Sequence, residues 1–166
     1  MSIPVIASGL QVGDRLPNFE RFDADGSRRT YYGNYCGRPL TLLLAIDGDA
    51  PGLARAITAL AAATGEDRTV DGAIMIVGDP AAATRFREAH PGAPAVFCDD
   101  GQISRFIVGT AAPTSGFLTL ELDANAHLLA RTDGWPAALK AAESADEGRL
   151  VTACAPALIV PRVFEP

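Results

Sequence analysis

The sequence predicts an α/β domain whose central mixed sheet is flanked by helices. Three apolar runs of strand length, residues 39–47, 72–79 and 94–100, are each followed by a helix-forming stretch. The first two runs are nearly continuous rather than alternating, which suits strands covered on both faces. A later pair of strand-like runs surrounds residues 123–126 and reads as a β-hairpin.

Taken in order, residues 13–27 are rich in turn formers and read as a loop or short extended arm, with Asp25-Gly26 as a turn. Residues 28–35, with Tyr31, Tyr32 and Tyr35, are strand-like and break at Cys36-Gly37. After the first core strand, Asp49 is a candidate N-cap and Pro51 a permitted first-turn residue. The alanine-rich residues 52–64 then form a helix that Gly65 ends. Asp79 caps a second helix with Pro80 at its first position, and His90 suits its C-terminal turn. Residues 101–109 make a short amphipathic helix, where Arg105 could pair with Asp99 or Asp100. Residues 135–144 make a final helix.

The order β-α-β-α-β-α-β-β-α gives parallel strands through right-handed crossovers and then antiparallel ones. A flavodoxin-like or Rossmann sheet shares the early alternation. The terminal hairpin followed by one helix favours a thioredoxin-like fold. Residues 1–148 are read as that domain, and 149–166, apolar with three prolines, as a tail or linker.

Composition narrows the function. The chain has 166 residues, 48% hydrophobic and 20% charged, enough for one ordinary core. A net charge of −6, with Lys140 the only lysine, argues against nucleic acid as a partner. No run approaches about 18 apolar residues, so no membrane span is expected. The start lacks the pattern of a signal peptide, and the three cysteines form no disulfide framework; a reduced, cytoplasmic setting is the expectation.

Four segments carry a resemblance. Gly13-Asp14, Pro17 and Phe19 resemble a Gly-Asp-x-x-Pro-x-Phe opening. Gly37-Arg38-Pro39 before the apolar strand, the 96–109 segment closed by Gly109, and the 117–130 hairpin with Ala126 in place of a glycine follow in the same order. Over roughly residues 12–145 the chain therefore resembles a peroxiredoxin-type member of the thioredoxin superfamily. That family's signature, Pro-x-x-x-Thr-x-x-Cys, places a peroxide-holding threonine and a reactive cysteine at the corner after the first core strand. A helix N-terminus and an arginine there lower the thiol pKa.

Laid on Pro51, this chain offers Ala50 for the threonine, Leu53 for the cysteine and Ile46 for the first proline. The corner Ala50, Pro51, Gly52, Leu53 is degenerate with respect to the signature, and no Cys-x-x-Cys occurs. Residues 155–166 also resemble the junction leading into a 2-oxoglutarate/iron oxygenase domain in bacterial proteins. The chain itself has no His-x-Asp facial triad.

These observations leave three readings. One is a redox-inactive accessory or interaction domain, with a downstream oxygenase, another protein or a second copy as partner. A second is an atypical thiol peroxidase or oxidoreductase using Cys36. The third is small-ligand binding at the corner, with Asp47 and Asp49 as candidate ligand groups or else turn residues. Cys98 reads as a small core residue and Cys154 as a tail thiol without a peroxidatic partner. Pro113 reads as a loop proline. His90 and His127 lack metal spacing, so neither a metal nor another cofactor is expected. Phe106, Phe117, Trp135 and the tyrosines pack a core or form a binding patch, with core packing the default, and an exposed tyrosine cluster would mark an interface.

Overall fold

The computed structural model describes residues 8–35, 37–65 and 67–136. Cys36, Cys154, the expected helix beyond Pro136 and the 148/149 boundary lie outside the described residues.

A small antiparallel hairpin, β1 (Glu20–Phe22) and β2 (Arg28–Thr30), turns through Asp25-Gly26 as expected. A one-turn helix, α1 (Tyr31–Tyr35), leads to β3 (Leu40–Ala45). Then follow α2 (Leu53–Ala63), β4 (Asp71–Val77), α3 (Pro80–Ala89), β5 (Ala95–Asp99), α4 (Gln102–Val108), β6 (Phe117–Leu122) and β7 (Leu128–Asp133). The main sheet runs β5-β4-β3-β6-β7, with β3, β4 and β5 parallel and β6 and β7 antiparallel. This is the mixed sheet flanked by helices of a thioredoxin-like fold.

Strand alternation divides the core. Leu42, Leu44, Met75 and Leu120 face α4 and the N-terminal residues Leu10 and Leu16. Leu43, Ala45, Ile74, Ile76 and Phe117 face the other way, against Leu53, Ala56, Ile57 and Leu60 of α2 and Phe86 of α3. All six residues of β3 are buried, which accounts for its unbroken apolar run.

Two local expectations are corrected. The tyrosine segment is helical rather than extended. Tyr31 is buried and stacks on Phe19 at 5.2 Å, while the Tyr32 hydroxyl donates to the Leu16 carbonyl at 2.9 Å. Tertiary packing there overrides strand propensity, and the tyrosines pack the shell instead of forming an exposed patch. Asp49 does not cap α2: the N-cap is Gly52, in a left-handed conformation without a side-chain cap. Asp79 does cap α3, accepting the Ala82 N–H at 2.8 Å.

The β6–β7 turn keeps a left-handed residue where the resemblance has glycine: Ala126 has φ 67°. A side chain there costs about 1–2 kcal/mol. The methyl is buried, however, and returns about 0.8 kcal/mol.

The N-terminal hairpin docks on β5, the outer strand of the sheet. Ala24 N–H donates to the Val96 carbonyl at 2.9 Å, and Asp23 bridges Phe97. Arg21 Nε lies 2.7 Å from Asp99, whose side chain is fully buried. Arg105, the expected partner of Asp99, makes no such pair; the partner comes from 78 residues earlier. Asp99 also accepts from the Gly101 and Ser104 N–H groups and from the Ser104 hydroxyl at 2.6 Å. Burial alone raises its pKa, but the Ser104 hydrogen bonds and Arg21 outweigh it and hold the carboxyl below its ordinary value.

Its contribution to stability is therefore complete above the unfolded-chain pKa of about 4 and disappears as pH falls through the lower folded value. Arg21→Ala is expected to cost about 2–4 kcal/mol at pH 7 and to flatten the acid limb of the stability profile. Urea midpoints measured from pH 7 down to pH 3 read both effects.

Candidate functional site

The corner after β3 is held by one carbonyl. Gly116 O accepts the N–H groups of Ile46 and Asp47, at 3.0 and 2.9 Å, and so ties the end of β3 to the start of β6. Asp47 O then accepts from Ala50, and Ala50 O accepts from Leu53, which winds the chain into α2. Gly116 has φ 84°, and a Cβ there would lie 2.8 Å from that of Ala50. The two chains meet too closely for any side chain at 116.

Ala50 and Leu53 are both buried, Leu53 at 1% exposure within the α2 core layer. The positions that the resemblance assigns to a threonine hydroxyl and a thiol thus carry a methyl and an isobutyl group facing inward. Asp47 and Asp49 are exposed, and the Asp47 carboxylate accepts the Asp49 N–H at 2.9 Å.

Cys98 is buried on β5. Its Sγ donates to the Phe22 carbonyl at 3.4 Å beneath the N-terminal hairpin. Burial raises its pKa, and the nearby hydrogen bonds lower it only in part. Such a thiol is protonated and shielded, the opposite of an activated one.

Beside the corner lies an open cleft of about 510 Å³ between the start of α2, the loop before β6 and the end of β7. Pro51, Gly52, Arg55, Ser115, Phe117 and Trp135 line it. Asp133, on its rim, accepts the Thr114 N–H at 2.7 Å, the Thr114 hydroxyl at 2.9 Å, the Ser115 N–H at 2.9 Å and the Ser115 hydroxyl. The Ser115 hydrogen bonds, foremost among these, depress its pKa strongly. The far wall is fixed too: Gly134 N–H donates to Phe117 O at 2.9 Å, and the Thr119 hydroxyl donates to Gly134 O at 2.7 Å. Sequence reading missed Arg55, Ser115 and Asp133 and took Trp135 as core by default, with a binding patch as the alternative. One signal was available, an arginine in the first turn of a helix with no acidic neighbour there.

The remaining candidates are distributed elsewhere. Pro113 lies in the loop before β6, and no peptide bond among the described residues is cis. His90 is the C-cap of α3, and His127 lies 3.5 Å from Asp123 beside the β6–β7 turn. Among the described residues, no three His, Cys, Asp or Glu side chains converge as a metal set. No described helix is long and apolar enough to cross a membrane.

No protein-family model and no curated protein matches the chain. Solved structures do. A putative protein disulfide isomerase from Bacteroides thetaiotaomicron superposes with TM-score 0.70 at 12% identity, covering 93% of this chain and 95% of that one. A cysteine-to-serine mutant of PrxQ from Xylella fastidiosa gives TM-score 0.69 at 12% identity, covering 88% of this chain and 98% of that one. A thiol peroxidase from Chromobacterium violaceum gives 0.63 at 18% identity, covering 90% of each chain. At these identities the likeness is one of fold, and it places this chain in the thioredoxin-like architecture.

Two outcomes follow. Gly116→Ala should destabilise the protein by about 2–3 kcal/mol, combining left-handed strain with the clash on Ala50. Adding Ala50→Gly should recover only the clash portion, as thermal unfolding of the single and double variants will register. In a Cys36→Ser/Cys154→Ser protein, iodoacetamide at pH 7 should label Cys98 far more slowly in the folded state than in urea.

Proposed function

We propose that the chain is a thioredoxin-fold domain without thiol redox chemistry of its own, serving as an accessory or interaction module. On the resemblance of residues 155–166, its partner is a 2-oxoglutarate/iron oxygenase domain. The observation that carries this reading is the burial of Ala50 and Leu53 at the corner. Peroxide reduction needs an accessible thiolate, and redox-sensor and catalytic cysteines sit in electropositive, partly exposed surroundings. The corner has neither a sulfur nor a hydroxyl to offer.

The position of the chain around Cys36 supports the same reading. Tyr35 ends α1 and Gly37 lies just before β3, so both belong to the amino-terminal end of that strand. Six residues of β3 span roughly 20 Å, and the corner follows the opposite end. Gly37 N–H bonds to Ala124 O in the β6–β7 turn, a tie to a part of the fold remote from α2's first turn.

The test is peroxide consumption by the full chain with a thioredoxin or dithiothreitol reductant, beside a Cys36→Ser/Cys98→Ser/Cys154→Ser control. Equal rates are expected. Turnover above the control would assign the chemistry to one of the three thiols and overturn the reading.

A further inference from the structure

The dipeptide Asp-Gly occurs five times, at Asp25-Gly26, Asp47-Gly48, Asp71-Gly72, Asp100-Gly101 and Asp133-Gly134. In this pair a side-chain carboxyl stands most open to attack by its own backbone, because glycine has no Cβ to shield the following amide nitrogen. The attack has two requirements. The glycine N–H must be unengaged, and the carboxyl must be able to take up a proton. A cation or a full set of donors holds the carboxylate charged and closes the route.

Four of the five pairs are closed in this way. Gly26 N–H donates to Asp23 O at 3.0 Å, and the Asp25 carboxylate lies 3.1 Å from Arg87. Asp71 is set in β4 with its carboxylate 3.2 Å from Arg38. Gly101 N–H donates to the buried Asp99 carboxylate at 3.0 Å. Gly134 N–H donates to Phe117 O at 2.9 Å, and the Asp133 carboxylate is held by Thr114 and Ser115.

Asp47-Gly48 is open on both counts. The two residues are exposed, and among the described residues Gly48 N–H has no hydrogen-bond partner and no ion pair includes Asp47. The Asp49 N–H donates to Asp47 Oδ1 at 2.9 Å, which folds the carboxyl back along the Asp47–Gly48 peptide. Asp100 makes the same kind of turn with the Gln102 N–H at 3.1 Å, so the decisive difference between the two pairs is the glycine nitrogen.

We propose that Asp47 is a site of spontaneous isoaspartate formation. The Gly48 nitrogen bonds to Asp47 Cγ, and the carboxyl hydroxyl leaves with the N–H proton as water, giving a cyclic succinimide. Water then adds at one of the two ring carbonyls and breaks its bond to the nitrogen. Opening on the side-chain carbonyl restores aspartate. Opening on the main-chain carbonyl routes the chain through the side chain, one methylene longer. The Asp47 oxygen that accepts the Ala50 N–H at 3.2 Å then belongs to a free carboxylate, within the turn that winds β3 into α2. The partner such a product fits is a carboxyl methyltransferase that caps the new carboxylate and so reopens the ring. No sulfur takes part, so the inference stands apart from the redox-inactive reading.

The full chain is held at pH 7, folded and in urea, and its peptides are compared by electron-transfer fragmentation, which separates isoaspartate from aspartate. In the folded protein, isoaspartate should accumulate at Asp47 several-fold faster than at any other Asp-Gly pair. In urea the rates at the five pairs should converge. Gly48→Ala should bring Asp47 down to the rate of the other sites. A methyl there meets open space and Gly48 is not left-handed, so the variant's circular dichroism should match the parent. Another Asp-Gly pair reacting as fast in the folded protein, or an Asp47 that reacts only in urea, would overturn the proposal. So would an Asp47 excess that persists unchanged in urea, or a Gly48→Ala rate equal to the parent's.

Discussion

One carbonyl oxygen organises the corner where β3 hands over to α2. Gly116 O binds the amides of both Ile46 and Asp47, so the two residues that follow β3 are tied to the entry to β6. The price of that junction is a glycine at φ 84° pressed against Ala50. Because the contact is backbone against methyl, little room remains for chemistry inside the corner. What the corner can present lies outside it, along the first turn of α2 and the cleft beyond.

The opposite face depends on a longer reach. Asp99 gathers donors from α4's first turn and from Arg21, and so locks the N-terminal hairpin over β5 and Cys98. A second arginine does similar work at the other end of α4: Arg131 of β7 donates to the carbonyls of Leu10, Ile107 and Val108. A cation at a helix C-terminus is favourable, and here it also binds the N-terminal arm. Both devices use single charges to join segments distant in sequence, so the arginines scattered along the chain act mainly as structural clamps.

That contrast explains what the sequence could disclose. Buried parallel strands announce themselves through unbroken apolar runs, and β3 and β4 were legible for that reason, while the β6–β7 hairpin was legible from two strand-like runs around a turn. The Asp79-Pro80 helix start was legible because capping is local. The α1 helix was not, since tyrosine and threonine favour strands until Phe19 and Leu16 are there to pack against. The Arg21–Asp99 pair spans 78 positions, and local reading placed Arg105 there instead. At the corner, the burial of Ala50 and Leu53 came only with the structure. The cleft could not be read locally, because residues 51–55 meet residues 115–135 only through the sheet.

The start of α2 presents an energetic question that the core answers. It has a glycine N-cap, no capping side chain, no acid in its first turn and an arginine there instead. A lost cap costs on the order of 1 kcal/mol, and the misplaced charge adds roughly 0.3–1 kcal/mol. Against this, Leu53, Ile57 and Leu60 are all but fully buried, and each large apolar side chain contributes about 1.5–3 kcal/mol. Burial on one face therefore exceeds the deficit at the end several times over, and the helix does not need its N-terminus satisfied internally. A helix stabilised from the side can leave donors at its tip facing a cleft. At this corner that freedom comes from Leu53, whose side chain packs into the core below the helix start.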